Sequence, residues 1–125
     1  MRVYESAEDY LEAILVIGKR RGIVRSIDIA NELGFSKPSV SVAMKKLRES
    51  GYIEMGPDGH IALLPAGAAI AERIYERHQT LTELFVRLGV SREVAAADAC
   101  KVEHDLSEET FEKIKEHVPH AVKLP

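Results

Sequence analysis

Residues 26–63 constrain the fold more than any other part of the chain. Ile27, Ala30 and Leu33 give one short amphipathic helix that Gly34 stops, with Ser26 placed to cap it. After a short turn, Ser36 is placed to cap a second helix that carries Val40, Ala43, Met44 and Leu47 inward and ends at Gly51. Two short helices joined by a tight glycine-containing turn are a helix-turn-helix signature. Tyr52-Ile53-Glu54-Met55 and His60-Ile61-Ala62-Leu63 then flank Gly56-Pro57-Asp58-Gly59. Proline presets one turn dihedral and glycine tolerates positive φ, so the pattern predicts a β-hairpin, here a wing.

Helices are predicted on both sides. The first starts at Ser6, with Asp9 completing a loose capping box, and Ala7, Leu11, Ile14, Leu15 and Gly18 make its buried face. It ends among residues 19–22. Pro65 suits the first turn of a long helix reaching about Leu88, because a proline lacks only an N–H that would have had no helical partner there. Ile70, Ile74, Leu81, Phe85 and Leu88 form its apolar stripe, and His78 falls on that stripe and faces inward. Gly89 ends it, Ser91 caps a fifth helix running to about Leu106, and Ser107 caps a last one to about Val118. The fold class is therefore mainly α: an N-terminal winged helix-turn-helix with a two-stranded wing over residues 1–64, then a helical domain over 65–125. A chain of 125 residues holds one domain or two small ones. Its longest apolar run, residues 61–71, is interrupted by Pro65 and falls short of the roughly 20 residues a spanning helix needs. No membrane span is expected, the start lacks the apolar core of a signal peptide, and the expected location is cytoplasmic.

Charge is unevenly placed. Between Lys19 and Arg48 eight basic residues face two acidic ones, whereas between Ser91 and Val118 four basic residues face eight acidic ones. A basic half suits a polyanion; the plainer alternative is solvated helix faces of both signs. The helix after Ser36 shows outward Lys37, Ser39, Ser41, Lys45, Lys46 and Arg48. Small hydroxyl residues at a helix N-terminus let the backbone approach a phosphate, which the N–H groups and helix dipole attract. The candidate DNA-binding residues are Arg25, Ser36, Lys37, Pro38, Ser39, Ser41, Lys45 and Lys46. The expected partner is double-stranded DNA, with the second helix of the motif in the major groove. Toward the base edges this helix offers Ser39, Ser41 and Val42 rather than Asn or Gln.

A second group of residues has donor chemistry. Asp9 and Glu12, three apart, share a face of the first helix, while Cys100, Glu103 and His104 stand at i, i+3 and i+4 of the fifth. With His78 these are six oxygen, nitrogen and sulfur donors, a mixture suited to a first-row transition metal rather than Mg²⁺ or Ca²⁺. Singly, each has a plain reading: a solvated glutamate, a core histidine, a small buried cysteine. One cysteine builds no internal disulfide framework. Two rivals stand beside the metal reading. One is a metal-independent winged-helix regulator that senses an oxidant or small molecule through Cys100. The other is a small metal-dependent hydrolase, for which no nucleophile motif is present, so the chain is not expected to be an enzyme.

Glu8-Asp9-Tyr10-Leu11-Glu12, the Ser-Lys-Pro-Ser-Val-Ser segment at 36–41, Arg77-His78 and the run Cys100-Lys101-Val102-Glu103-His104-Asp105-Leu106 occur in an order and spacing that resembles the diphtheria-toxin-repressor and manganese-transport-regulator family. The resemblance spans nearly the whole chain. It implies a metal-dependent repressor whose helical second domain binds metal and forms a homodimer on a palindromic operator, with Asp9, Glu12, His78, Cys100, Glu103 and His104 as ligands. Iron-sensing members usually continue into an SH3-like domain, so the length implies the short, manganese-type form. The ligand set is mixed: manganese-type members resemble it at Asp9 and Glu12 but carry glutamate where Cys100 stands, and iron-type members resemble it at Cys100 but carry methionine where Asp9 stands. The cofactor expected is Mn²⁺ or Fe²⁺, with Zn²⁺ or Co²⁺ brought closer by the soft thiolate, which also opens an oxidation route that would release metal.

Overall fold

The computed structural model describes residues 5–118, in the order α1 (Glu5–Arg21), α2 (Ser26–Leu33), α3 (Lys37–Glu49), β1 (Ile53–Met55), β2 (Ile61–Leu63), α4 (Pro65–Arg87), α5 (Arg92–Val102) and α6 (Glu108–His117). They divide into two compact units, one ending at Glu72 and the other beginning at Arg73, with the boundary inside α4.

In the first unit, α1 buries Tyr10, Leu11, Ala13, Ile14 and Ile17 against Ile29, Ala30, Val40, Met44 and Leu47 of α2 and α3. Of the face expected for α1, Leu11 and Ile14 are buried, whereas Ala7, Leu15 and Gly18 are only half-buried. Ser6 does not cap α1, because Glu5 is already helical. Nor does Ser26 cap α2: it is the first helical residue, Arg25 holds the cap position, and the Asp28 carboxylate accepts the Arg25 backbone N–H at 2.9 Å. An acidic residue in the first turn thus does the work expected of the serine hydroxyl. Ser36 caps α3 as expected, accepting the Ser39 backbone N–H at 3.3 Å. Gly34 takes φ 73°, the left-handed conformation that closes α2 and that a side chain would resist.

The wing is an antiparallel pair with Ile53 opposite Leu63, Glu54 opposite Ala62 and Met55 opposite Ile61. Ile53 and Ile61 are buried beneath it. The Ile61 N–H also donates to the Val24 carbonyl at 2.8 Å, tying the wing to the α1–α2 connection.

In the second unit α4 carries Ile74 and Leu81, α5 carries Ala95 and Ala99, and α6 carries Phe111, all buried. Ser91 and Ser107 cap α5 and α6 through the N–H groups of Val94 and Thr110. Two expectations fail here. Leu88 lies beyond the end of α4 and is 72% exposed. The fifth helix ends at Val102, not near Leu106, so Glu103 and His104 sit in the turn that follows it.

Candidate metal centre and nucleic-acid interface

The end of α5 is set from another helix. Arg77, on α4 and only 2% exposed, donates to the carbonyls of Glu103 at 3.1 Å and Leu106 at 2.7 Å, and to Glu108 Oε1 at 2.7 Å. Carbonyls at a helix end have no helical partner, and the guanidinium satisfies that of Glu103, at the cap of α5, together with that of Leu106 in the turn beyond. The chain is thereby turned toward α6, whose Phe111 ring lies 5.1 Å from the Arg77 guanidinium. Glu103 keeps helical dihedrals, φ −59° and ψ −25°, with its N–H on the Ala99 carbonyl, so its side chain still projects as one more helical residue would.

That projection brings donors together. Glu103 Oε1 lies 2.8 Å from His78 Nδ1, and Cys100 Sγ lies 3.8 Å from the same nitrogen. One atom from each of His78, Cys100 and Glu103 falls within 4.8 Å of the others, a spacing that fits a shared cation. Glu103 is fully buried, His78 half-buried and Cys100 exposed. The hydrogen bonds to Cys100 and Glu103 raise the His78 pKa from 6.5 to about 10, with burial opposing them. Glu103 Oε2 is buried with no hydrogen-bond partner among the described residues. A carboxylate oxygen so placed is costly unless paired with a cation, and the imidazole, thiol and carboxylate set matches the ligands of a divalent transition metal. These residues fit such an ion.

His104 belongs to the same turn, its Nε2 3.9 Å from Glu103 Oε2 and its side chain 2% exposed. Asp9 and Glu12 lie half-buried on α1, in the first unit, three residues apart on one face. The sequence reading missed Arg77 as a working residue and met it only as the neighbour of His78. An arginine on a long amphipathic helix gives no local sign that it will be buried on carbonyls 26 and 29 residues away.

In the first unit, Ser36, Lys37, Pro38, Ser39, Ser41, Lys45 and Lys46 are all exposed along α3. Arg25 is exposed too, but it is occupied: its Nη2 lies 2.8 Å from His60 Nε2 and its Nε donates to the Asp58 carbonyl at 3.4 Å. It clips the start of α2 to the turn of the wing. Among the described residues no helix is long and apolar enough to cross a membrane.

A winged helix-turn-helix followed by a helical unit that gathers imidazole, thiol and carboxylate defines a class, the metal-responsive DNA-binding regulators. Residues 2–61 match the family model described as iron dependent repressor, N-terminal DNA binding domain, and residues 64–125 match that described as iron dependent repressor, metal binding and dimerisation domain. The chain belongs to the iron-dependent repressor family of transcriptional regulators. The transcriptional regulator MntR of Escherichia coli O6:H1 is 38% identical over 111 residues, covering 89% of this chain and 72% of that protein. The crystal structure of T. acidophilum IdeR superposes with a TM-score of 0.80 at 28% identity, over 94% of this chain and 55% of that one. A manganese-dependent transcriptional repressor in complex with manganese gives 0.82 at 25% identity, over 90% and 52%. The chain thus spans about half the length of these solved structures.

Proposed function

We propose that this chain is a metal-responsive transcriptional repressor for manganese or iron homeostasis, binding a palindromic operator as a homodimer in the cytoplasm and having no enzymatic activity of its own. The observation that carries this reading is the meeting of His78, Cys100 and Glu103 within the part matched by the metal-binding and dimerisation model. The names of MntR and of the manganese-dependent repressor support it. The functional division follows residues 1–64 and 65–125.

His78, Cys100 and Glu103 would hold the ion, and His104, Asp9 and Glu12 would complete the set by the family's pattern. A divalent cation, when bound, supplies the positive charge that lets these acidic groups converge without mutual repulsion. Glu103 contributes a buried carboxylate on a residue whose backbone carbonyl Arg77 holds, and His78 would give up a proton to become a neutral donor. Cys100 lies on the same imidazole as Glu103, a position that suits a ligand better than an isolated oxidant sensor. Its soft sulfur shifts preference from Mn²⁺ toward Fe²⁺, Co²⁺ or Zn²⁺. A bound metal would raise DNA affinity only through tighter binding to a DNA-competent arrangement with recognition helices about 34 Å apart. On the DNA side, Ser36, Lys37, Pro38, Ser39, Ser41, Lys45 and Lys46 meet the duplex, and Arg25 holds the wing in position.

The test is operator affinity measured anaerobically, on a duplex selected by the protein from a random-sequence pool, in chelator and in Mn²⁺, Fe²⁺ or Zn²⁺. A coupling of about 1–3 kcal/mol, or roughly 5–150-fold tighter binding with metal, is expected, and Glu103→Gln should lose it. Equal affinity with and without each metal rejects the switch.

A further inference from the structure

We propose that Val42 reads the C5-methyl group of thymine in each operator half-site. The inference rests on the DNA-binding reading above and names what that reading leaves open, the residue that senses sequence.

Val42 is 56% exposed in the second turn of α3. At about 100° per residue, Pro38, Val42 and Lys45 project nearly opposite to Val40, Met44 and Leu47, which form the buried face. A lone exposed valine is ordinary on a protein surface, and β-branching mildly disfavours the helix. Its neighbours give it meaning. Between Ser36 and Lys46 there is no Arg, Asn or Gln, so adenine has no bidentate reader there and guanine has only the lysines Lys37, Lys45 and Lys46.

The hydroxyls nearby are partly spent. Ser36 Oγ accepts the Ser39 N–H and itself donates to Ser39 Oγ at 2.9 Å. Lys45 and Lys46, exposed on either side of the outermost line of the helix, have the reach and charge for phosphates. Beside the Ser41 hydroxyl, the outward line of the helix then offers the apolar surface of Val42. The thymine methyl is the one apolar feature that base pairs display in the major groove. A β-branched side chain with little rotamer freedom loses little entropy on meeting it.

The experiment uses the Mn²⁺-loaded full chain and the duplex it selects from a random-sequence pool. Each thymine is replaced in turn by deoxyuridine, which removes the methyl and keeps every hydrogen bond. For the unsubstituted chain, one thymine per half-site should weaken binding about fourfold when replaced, the value of one buried methyl-sized group, and about fifteenfold when replaced in both half-sites. Val42→Ala, at an exposed position where folding is little disturbed, should bind the thymine duplex about as weakly as the unsubstituted chain binds the deoxyuridine duplex, and the replacement should then matter little. Methyl dependence that survives Val42→Ala overturns the proposal, and so does a selected site in which no thymine methyl matters. A chain that selects no duplex at all overturns the DNA-binding reading and this inference with it.

Discussion

In the metal-free chain His78 carries a proton that Cys100 and Glu103 hold, raising its pKa from 6.5 to about 10. The sign of two pH effects follows. The paired imidazolium stabilises the fold fully below about 6.5, and that contribution is lost as pH rises through about 10. Metal binding displaces the same proton, and Cys100 loses its own on becoming a thiolate ligand, so affinity should climb with pH by about tenfold per unit for each proton released. Calorimetric titration in buffers of different ionisation enthalpy counts these protons, and a count unchanged in His78→Ala would remove His78 from the ligand set. Arg77 supports the same corner by a different route. Arg77→Ala deletes three hydrogen bonds and strands the carbonyls of Glu103 and Leu106. It should cost about 2–4 kcal/mol of stability, read as a lower urea midpoint, and should weaken metal binding as well. A variant as stable as the parent would show that solvent satisfies those carbonyls unaided.

At the scale of elements, most starts were readable and some ends were not. Ser36, Ser91 and Ser107 cap α3, α5 and α6 because a hydroxyl three residues before a free N–H is a local arrangement, visible in four residues of sequence. The end of α5 was misplaced by about one turn because it depends on Arg77, which reaches it from α4. Gly67 is a comparable case within the first unit. A Cβ there would overlap the backbone carbonyl of Tyr52, so α4 starts against the wing with no space for a side chain. Gly67→Ala would improve intrinsic helix propensity by about 1 kcal/mol. It should nevertheless destabilise by about 1–3 kcal/mol, because the obstacle is backbone that cannot rotate away. Thermal unfolding decides the sign, and a raised melting temperature would refute the close approach.

At the scale of the whole molecule, Leu88 and Val94 stand 72% and 51% exposed around the α4–α5 junction, within the region matched by the dimerisation model. Apolar groups left in water in a domain of this family are expected to be covered by a second copy. Leu88→Asp together with Val94→Asp should therefore shift sedimentation from dimer to monomer, while a dimer that persists would place the interface elsewhere. The order of elements, the wing and the exposed face of α3 were legible in the sequence, because periodicity, capping and glycine placement act over a few residues; His78, Cys100 and Glu103 could be named there as donors but not brought together. The meeting of His78 with Glu103 spans 25 positions and was decided by tertiary structure alone. Burial of Phe111, Ala99 and Leu81 packs the three helices of the second unit, and Arg77 stops α5 where Glu103 turns inward. Local rules settle which residues can donate; packing between distant segments settles which of them share a point, because desolvation and hydrogen-bond satisfaction are evaluated only once the chain has closed on itself.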